Sequence, residues 1–166
     1  MTKKMPPPNY AYQNYLLNTV STQLHIPDIG QIAREAGVQA AIRITCHYPN
    51  QSAPDSVGTL VGWLAQPPRL EVCRLQSPAG STTYPYSKEQ FKAFQMALVE
   101  LRFDRLEDQP NIPAHGVLLW LVERAAGGFA KRVLLAPELA TDTYQTLIYR
   151  LHEYIPQAVE VNYGRE

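Results

Sequence analysis

The run from Val38 to Tyr48, VQAAIRITCHY, sets the tightest constraint on what this chain can fold into. Val38, Ala40, Ile42, Ile44 and Cys46 alternate with Gln39, Ala41, Arg43, Thr45 and His47. A period of two with β-branched residues at its centre belongs to a strand that buries one face and turns the other to water. A helix would scatter the same apolar residues around its circumference. The domain must therefore contain a sheet, and the flanking segments must supply the other strands and the helices that cover it.

Two more strands are expected close by. VGTLVGWLA and RLEVCRLQ are apolar runs split by QPP, a break that suits an antiparallel connection, although Gly58 and Gly62 weaken the first as a strand former. An antiparallel segment over roughly residues 38–76 follows. Upstream, Tyr12, Leu16, Val20 and Leu24 recur at spacings of four, and Tyr15 and Thr19 widen that stripe, which predicts a helix over 10–25. Pro27 divides it from a shorter helix over 28–36, with Asp28 as the cap and Gly37 as the exit. Downstream, residues 76–86 read as an irregular connection. Ser87 and Gln90 then form a capping box for a helix running to about residue 106, with Phe91, Phe94, Leu98 and Leu101 facing inward.

The last third reads as helix, strand, helix, strand. Residues 114–126 fit either state: the short apolar run suits a strand, but Leu118, Leu121, Val122 and Ala125 form a helical stripe with Gly127 as its exit, and the helix is the preferred reading. KRVLLAP is a buried strand, Asp142 and Gln145 cap a helix over 142–154, and AVEVNY closes the chain as a strand. In that helix Tyr144, Leu147, Ile148, Leu151 and, just beyond it, Ile155 face inward. Residues 131–163 are thus expected to form a right-handed βαβ unit with parallel strands. The fold class is α+β: a single mixed α/β domain over 10–166 with an antiparallel segment and a C-terminal βαβ unit, preceded by a flexible tail at 1–9.

Charge and composition narrow the chemistry. Fifteen basic and fifteen acidic side chains give zero net charge, so no long-range field favours nucleic acid or an anionic membrane. No apolar core follows Lys3 and Lys4, and no run is long enough to span a bilayer, so the expected location is the cytoplasm. Cys46 and Cys73 are expected to be inert thiols. His25, His47, His115 and His152 lack metal-ligand spacing, so no metal is assigned. A cysteine nucleophile at Cys73 would need His47 or His115 beside it, and sequence supplies no such proximity. The chain has no G-x-S-x-G elbow, no Walker loop and no dinucleotide fingerprint, and no cofactor is assigned.

Ile32, Ala33, Arg34, Glu35, Ala36, Gly37 and Val38 resemble the first part of the helix-turn-helix unit of the LacI-like and TetR-like repressors. That resemblance implies DNA binding through a second helix over residues 39–46, where Gln39 and Arg43 would face the bases. The alternation over the same residues instead requires a strand, and the flanks carry no basic cluster.

Two surfaces stand out as candidate sites. The loop SPAGSTTYPYSK offers Tyr84 and Tyr86 as docking anchors, with Arg74 and Lys88 as rim contacts. The loop APELATD places Glu138, Thr141 and Asp142 between a strand and a helix, a position suited to a ligand or a cation if the strands are parallel. The expected function is that of a non-catalytic accessory or regulatory protein that binds another protein or itself. A small-molecule enzyme with a crevice at the parallel strand ends is the alternative, and a helix-turn-helix regulator the next.

Overall fold

A computed structural model describes residues 9–76 and 80–159. Its frame is a six-stranded sheet: β1 Val38–His47, β2 Ser56–Trp63, β3 Arg69–Arg74, β4 Ser81–Pro85, β5 Leu119–Ala126 and β6 Phe129–Leu135. The strand order is β4-β3-β2-β1-β5-β6, and every neighbouring pair is antiparallel. The long alternating stretch that opened the sequence argument is β1, at the centre.

Helices α1 Ala11–Gln23 and α2 Ile29–Ala33 lie on one face of the sheet. Helices α3 Lys88–Glu100, α4 Asp142–Tyr154 and α5 Pro156–Val159 lie on the other. The main core forms between the second group and the sheet, from Ile42, Ile44, Leu60, Leu70, Val122 and Val133 against Phe91, Phe94, Leu98, Leu147 and Leu151. Smaller clusters fill the first face: Leu17 with Leu121 and Leu134 beneath α1, and Ile29 and Ala33 with Ala41 and Ala125 beneath α2. None of the described helices is long and apolar enough to cross a membrane.

Several local expectations hold. The Asp28 carboxylate accepts from Gly30 N at 3.0 Å, and Gly37 leaves the turn after α2 at φ +83°. The Ser87–Gln90 capping box closes in both directions. Gly58 and Gly62 do not break β2. A Cβ on Gly58 would press on Ala158 of α5, and one on Gly62 would collide with the Phe91 ring, so the missing side chains let helices approach the sheet.

Other expectations are corrected. Residues 119–126 are a strand, not part of a helix over 114–126. Both faces of β5 are buried, so its apolar run is continuous and mimics a helical stripe, and Gly127, at φ +56°, turns the chain straight into β6. The described residues do not form the βαβ unit. Among the described residues β6 pairs only with β5, antiparallel, and Ala158 and Val159 belong to α5; the rest of the expected closing strand, residues 160–163, lies outside the described residues. The antiparallel segment therefore extends over the whole described sheet. Residues 81–85 are β4 rather than an irregular connection, and α3 stops at Glu100 because Arg102 adopts φ +55°. The inward side of α1 is Gln13, Leu17 and Val20, whereas Tyr12 and Tyr15 are exposed. Gln13 tolerates burial because its amide donates to Pro113 O at 3.3 Å. Finally, residues 39–46 form the middle of β1, so no second helix follows α2 as the repressor resemblance requires.

Candidate functional site

Helix α3 carries the site. Phe91, Phe94, Ala97 and Leu98 fasten its inner side to the sheet. Lys88, Lys92, Met96 and Val99 follow at steps of three and four and, with Gln95, line a groove of about 530 Å³. The end of β2 and the turn to β3 add Trp63, Leu64 and Pro68 to the same groove. Leu64 is 70% exposed, Met96 54% and Val99 71%. Scattered exposed aliphatics are ordinary, but three around one groove make a contiguous apolar patch of the kind that marks an interaction surface. The Arg69 guanidinium lies 5.2 Å from the centre of the Trp63 ring and helps hold the indole in place.

Val99 also lines an adjoining hollow of about 380 Å³, with Arg102, Phe103, Asp104, Arg105 and Arg124. Here Asp104 is already engaged: Arg124 Nε donates to its Oδ1 at 2.9 Å, and the Arg124 Nη2 donates to its other oxygen. Lys88, Lys92, Arg102 and Arg105 make no ion pair among the described residues. The two hollows thus adjoin at Val99, and between them they combine apolar side chains with four cations that make no ion pair among the described residues.

The opposite face of the sheet holds a polar feature that sequence reasoning missed. Register places Thr83, Glu71, Thr59, Arg43, Glu123 and Arg132 side by side, one from each strand in spatial order. Arg43 is only 2% exposed. Its Nε donates to Thr59 Oγ1 at 3.0 Å and its Nη1 to Pro27 O at 2.8 Å. Burial lowers the Arg43 pKa against the pull of Glu123, and burial raises that of Glu123 against the pull of Arg43 and Arg132. At the edge of α2 this row opens into a cleft of about 320 Å³ lined by Arg43, Thr59, Glu71 and Cys73, among others. The Cys73 thiol is raised by burial and by neighbouring Glu71, which suits an inert thiol rather than a nucleophile. The expectation of a solvated polar face on β1 failed because α1 and α2 cover it.

The residues singled out from sequence separate into different places. Lys88 lies in the α3 groove. Tyr84 is half-buried against the main core, since it sits opposite Leu70 on the face covered by α3 and α4. Tyr86 is 8% exposed, and its hydroxyl donates to Tyr154 O at 2.7 Å, so it faces inward and offers no free docking edge. Burial raises its phenol above the ordinary range. Arg74 Nη2 donates to Gln157 O at 3.0 Å and ties β3 to α5. Thr141 and Asp142 line a hollow of about 450 Å³ with Gln109, Asn111 and Tyr144, and Glu138 is not among its lining residues. Thr141 and not Asp142 occupies the cap position of α4, without a side-chain bond, and Asp142 holds φ +54°.

Neither the known protein-family models nor the curated protein sequences match this chain. Its function must therefore be argued from the geometry of the site.

Sequence contained one signal for the groove. Once Phe91, Phe94 and Leu98 are assigned inward, Met96 and Val99 fall on the outer side of the same helix, where apolar side chains have no packing duty. Trp63 and Leu64 give no such signal, because only the fold brings the end of β2 beside α3.

Proposed function

We propose that this protein is a non-catalytic accessory or regulatory protein, and that it acts by docking a segment of a partner protein into the groove along α3. The observation that carries this reading is the exposure of Leu64, Met96 and Val99 around a single groove. Burying these side chains under a partner would remove apolar surface from water, at about 25 cal/mol per Å² before the cost of association. The capping box and the Phe91–Phe94–Leu98 anchor hold the α3 wall rigid, which reduces the ordering cost on binding. Tyr84 and Tyr86 serve as supports for the sheet and for α4 in this reading, while Lys88 keeps its place at the interface.

A random peptide library displayed on phage and panned against the wild-type chain and against Met96→Asp/Val99→Asp tests this reading. Docking requires peptides that are enriched on the wild type and lost on the double variant. Enrichment that is equal on both proteins would refute the assignment of the groove.

A further inference from the structure

The charges around the groove select its occupant. Lys88 and Lys92 line the α3 groove, which among the described residues has no acidic residue in its lining. Arg102 and Arg105 continue the cationic side into the adjoining hollow, where the one carboxylate, Asp104, is engaged by Arg124. The acidic residues of α3 fall elsewhere. Glu89 and Glu100 lie outside both linings. A chain with zero net charge thus presents a locally cationic, apolar surface. α3 runs about 18 Å over its thirteen residues, the length of three to four helical turns of a partner.

Resting on the docking reading above, we infer that the groove takes an acidic amphipathic segment of a partner protein. Its apolar side would cover Trp63, Leu64, Met96 and Val99, and its Asp or Glu side chains would lie against Lys88, Lys92, Arg102 and Arg105. Apolar floor and cationic rim together favour such a segment over a nucleic acid, whose phosphates would satisfy the rim and leave Leu64, Met96 and Val99 in contact with water. They equally disfavour a purely apolar segment, which would desolvate the lysines without offering them a partner.

The composition of the peptides selected on the wild type, compared with those selected on Lys88→Glu/Lys92→Glu, decides the question. Both substitutions fall on exposed positions at the start of α3, and circular dichroism checks that the fold persists. The expected result is selection of peptides rich in Asp and Glu between apolar residues. A synthetic copy should bind at least about tenfold more weakly to the charge-reversed variant, with the difference shrinking as salt is raised. The variant should instead select peptides rich in Lys and Arg. Peptides that depend on Met96 and Val99 but show no acidic bias would overturn the acidic partner and leave docking intact. If no peptide depends on Met96 and Val99, docking and the acidic partner fail together. A fluorescent single-stranded oligonucleotide that binds more tightly than the selected peptides, and is lost on charge reversal, would overturn the inference in favour of a nucleic acid.

Discussion

Arg43 reaches from the central strand to Pro27, donating from Nη1 to its carbonyl oxygen at 2.8 Å. The contact pins the connector between α1 and α2 to the middle of the sheet. It also offsets part of the cost of burying the guanidinium, whose Nη2 has no hydrogen-bond partner among the described residues, with Thr59 and Glu123 on the two adjacent strands as its register neighbours. Removing Arg43 leaves Glu123 buried with less opposing charge and frees the connector. Arg43→Met is therefore expected to cost about 3 kcal/mol in urea unfolding. Arg43→Met/Glu123→Met should recover at least half of that loss, because it exchanges both charges for apolar volume. A double variant as unstable as the sum of the two singles would contradict the coupling.

The same row imposes a pH dependence. Burial raises the pKa of Glu123 in the folded chain, so the folded state holds this proton more tightly than the unfolded state. The resulting stabilisation is complete below the unfolded value of about 4.3 and is lost as pH rises through the folded value. Relative to Glu123→Gln, the wild type should lose stability as pH rises above about 4. Unfolding at matched ionic strength measures this, and a difference that moves the other way would refute the assignment.

At alkaline pH the buried thiol of Cys46 acts with the same sign. Burial pushes it from 9.0 up to about 12, so its contribution is lost as pH rises across that window. Cys46→Ala should flatten the alkaline fall in stability, and native Cys46 should resist thiol reagents until the protein unfolds. Rapid labelling of Cys46 in the folded chain would show that the core around it is open.

Gly58 and Gly62 set how closely the helices approach β2. Gly58→Ala and Gly62→Ala are each expected to cost about 1–3 kcal/mol, through contact with Ala158 and the Phe91 ring respectively. Trimming the ring with Phe91→Leu should make Gly62→Ala less harmful than it is alone. Additive losses in thermal unfolding would mean that the glycine and the ring do not meet.

The groove residues are expected to be dispensable for folding. Met96→Glu and Val99→Glu exchange exposed apolar side chains for a good helix former, so unfolding free energies should stay within about 0.5 kcal/mol of wild type. Phe94→Ala, on the buried side of the same helix, should cost about 3–5 kcal/mol. A large loss at Met96 or Val99 would assign them to the core rather than to an interface.

Local signals were legible in the sequence where they were self-contained. The alternation of β1, the Asp28 cap and the Ser87–Gln90 box depend on neighbours within a few residues, and each is present in the structure. The misreadings arose where burial depends on distant chain. Leu119–Ala126 is buried on both faces, which erases the period of two, and Arg43 is covered by helices from another part of the chain. Of the candidate site, Lys88 was singled out in the sequence as a rim contact, and the structure places it in the lining of the α3 groove. The burial of Tyr84 and Tyr86 was not legible, because the pairing of β4 with β3 that turns Tyr84 onto the core and the bond from Tyr86 to Tyr154 O are tertiary properties. The aliphatic patch of Leu64, Met96 and Val99 requires α3 and the end of β2 to meet, and no single stretch of sequence encodes that meeting.

Amide chemical-shift mapping of an isotopically labelled chain, titrated with a peptide selected on the wild type, tests the central claim most directly. Docking in the α3 groove requires the largest changes at Gln39, Trp63, Leu64 and along α3 from Lys88 to Val99. Changes confined to β4 or to the loop at 136–142, with α3 silent, would contradict it.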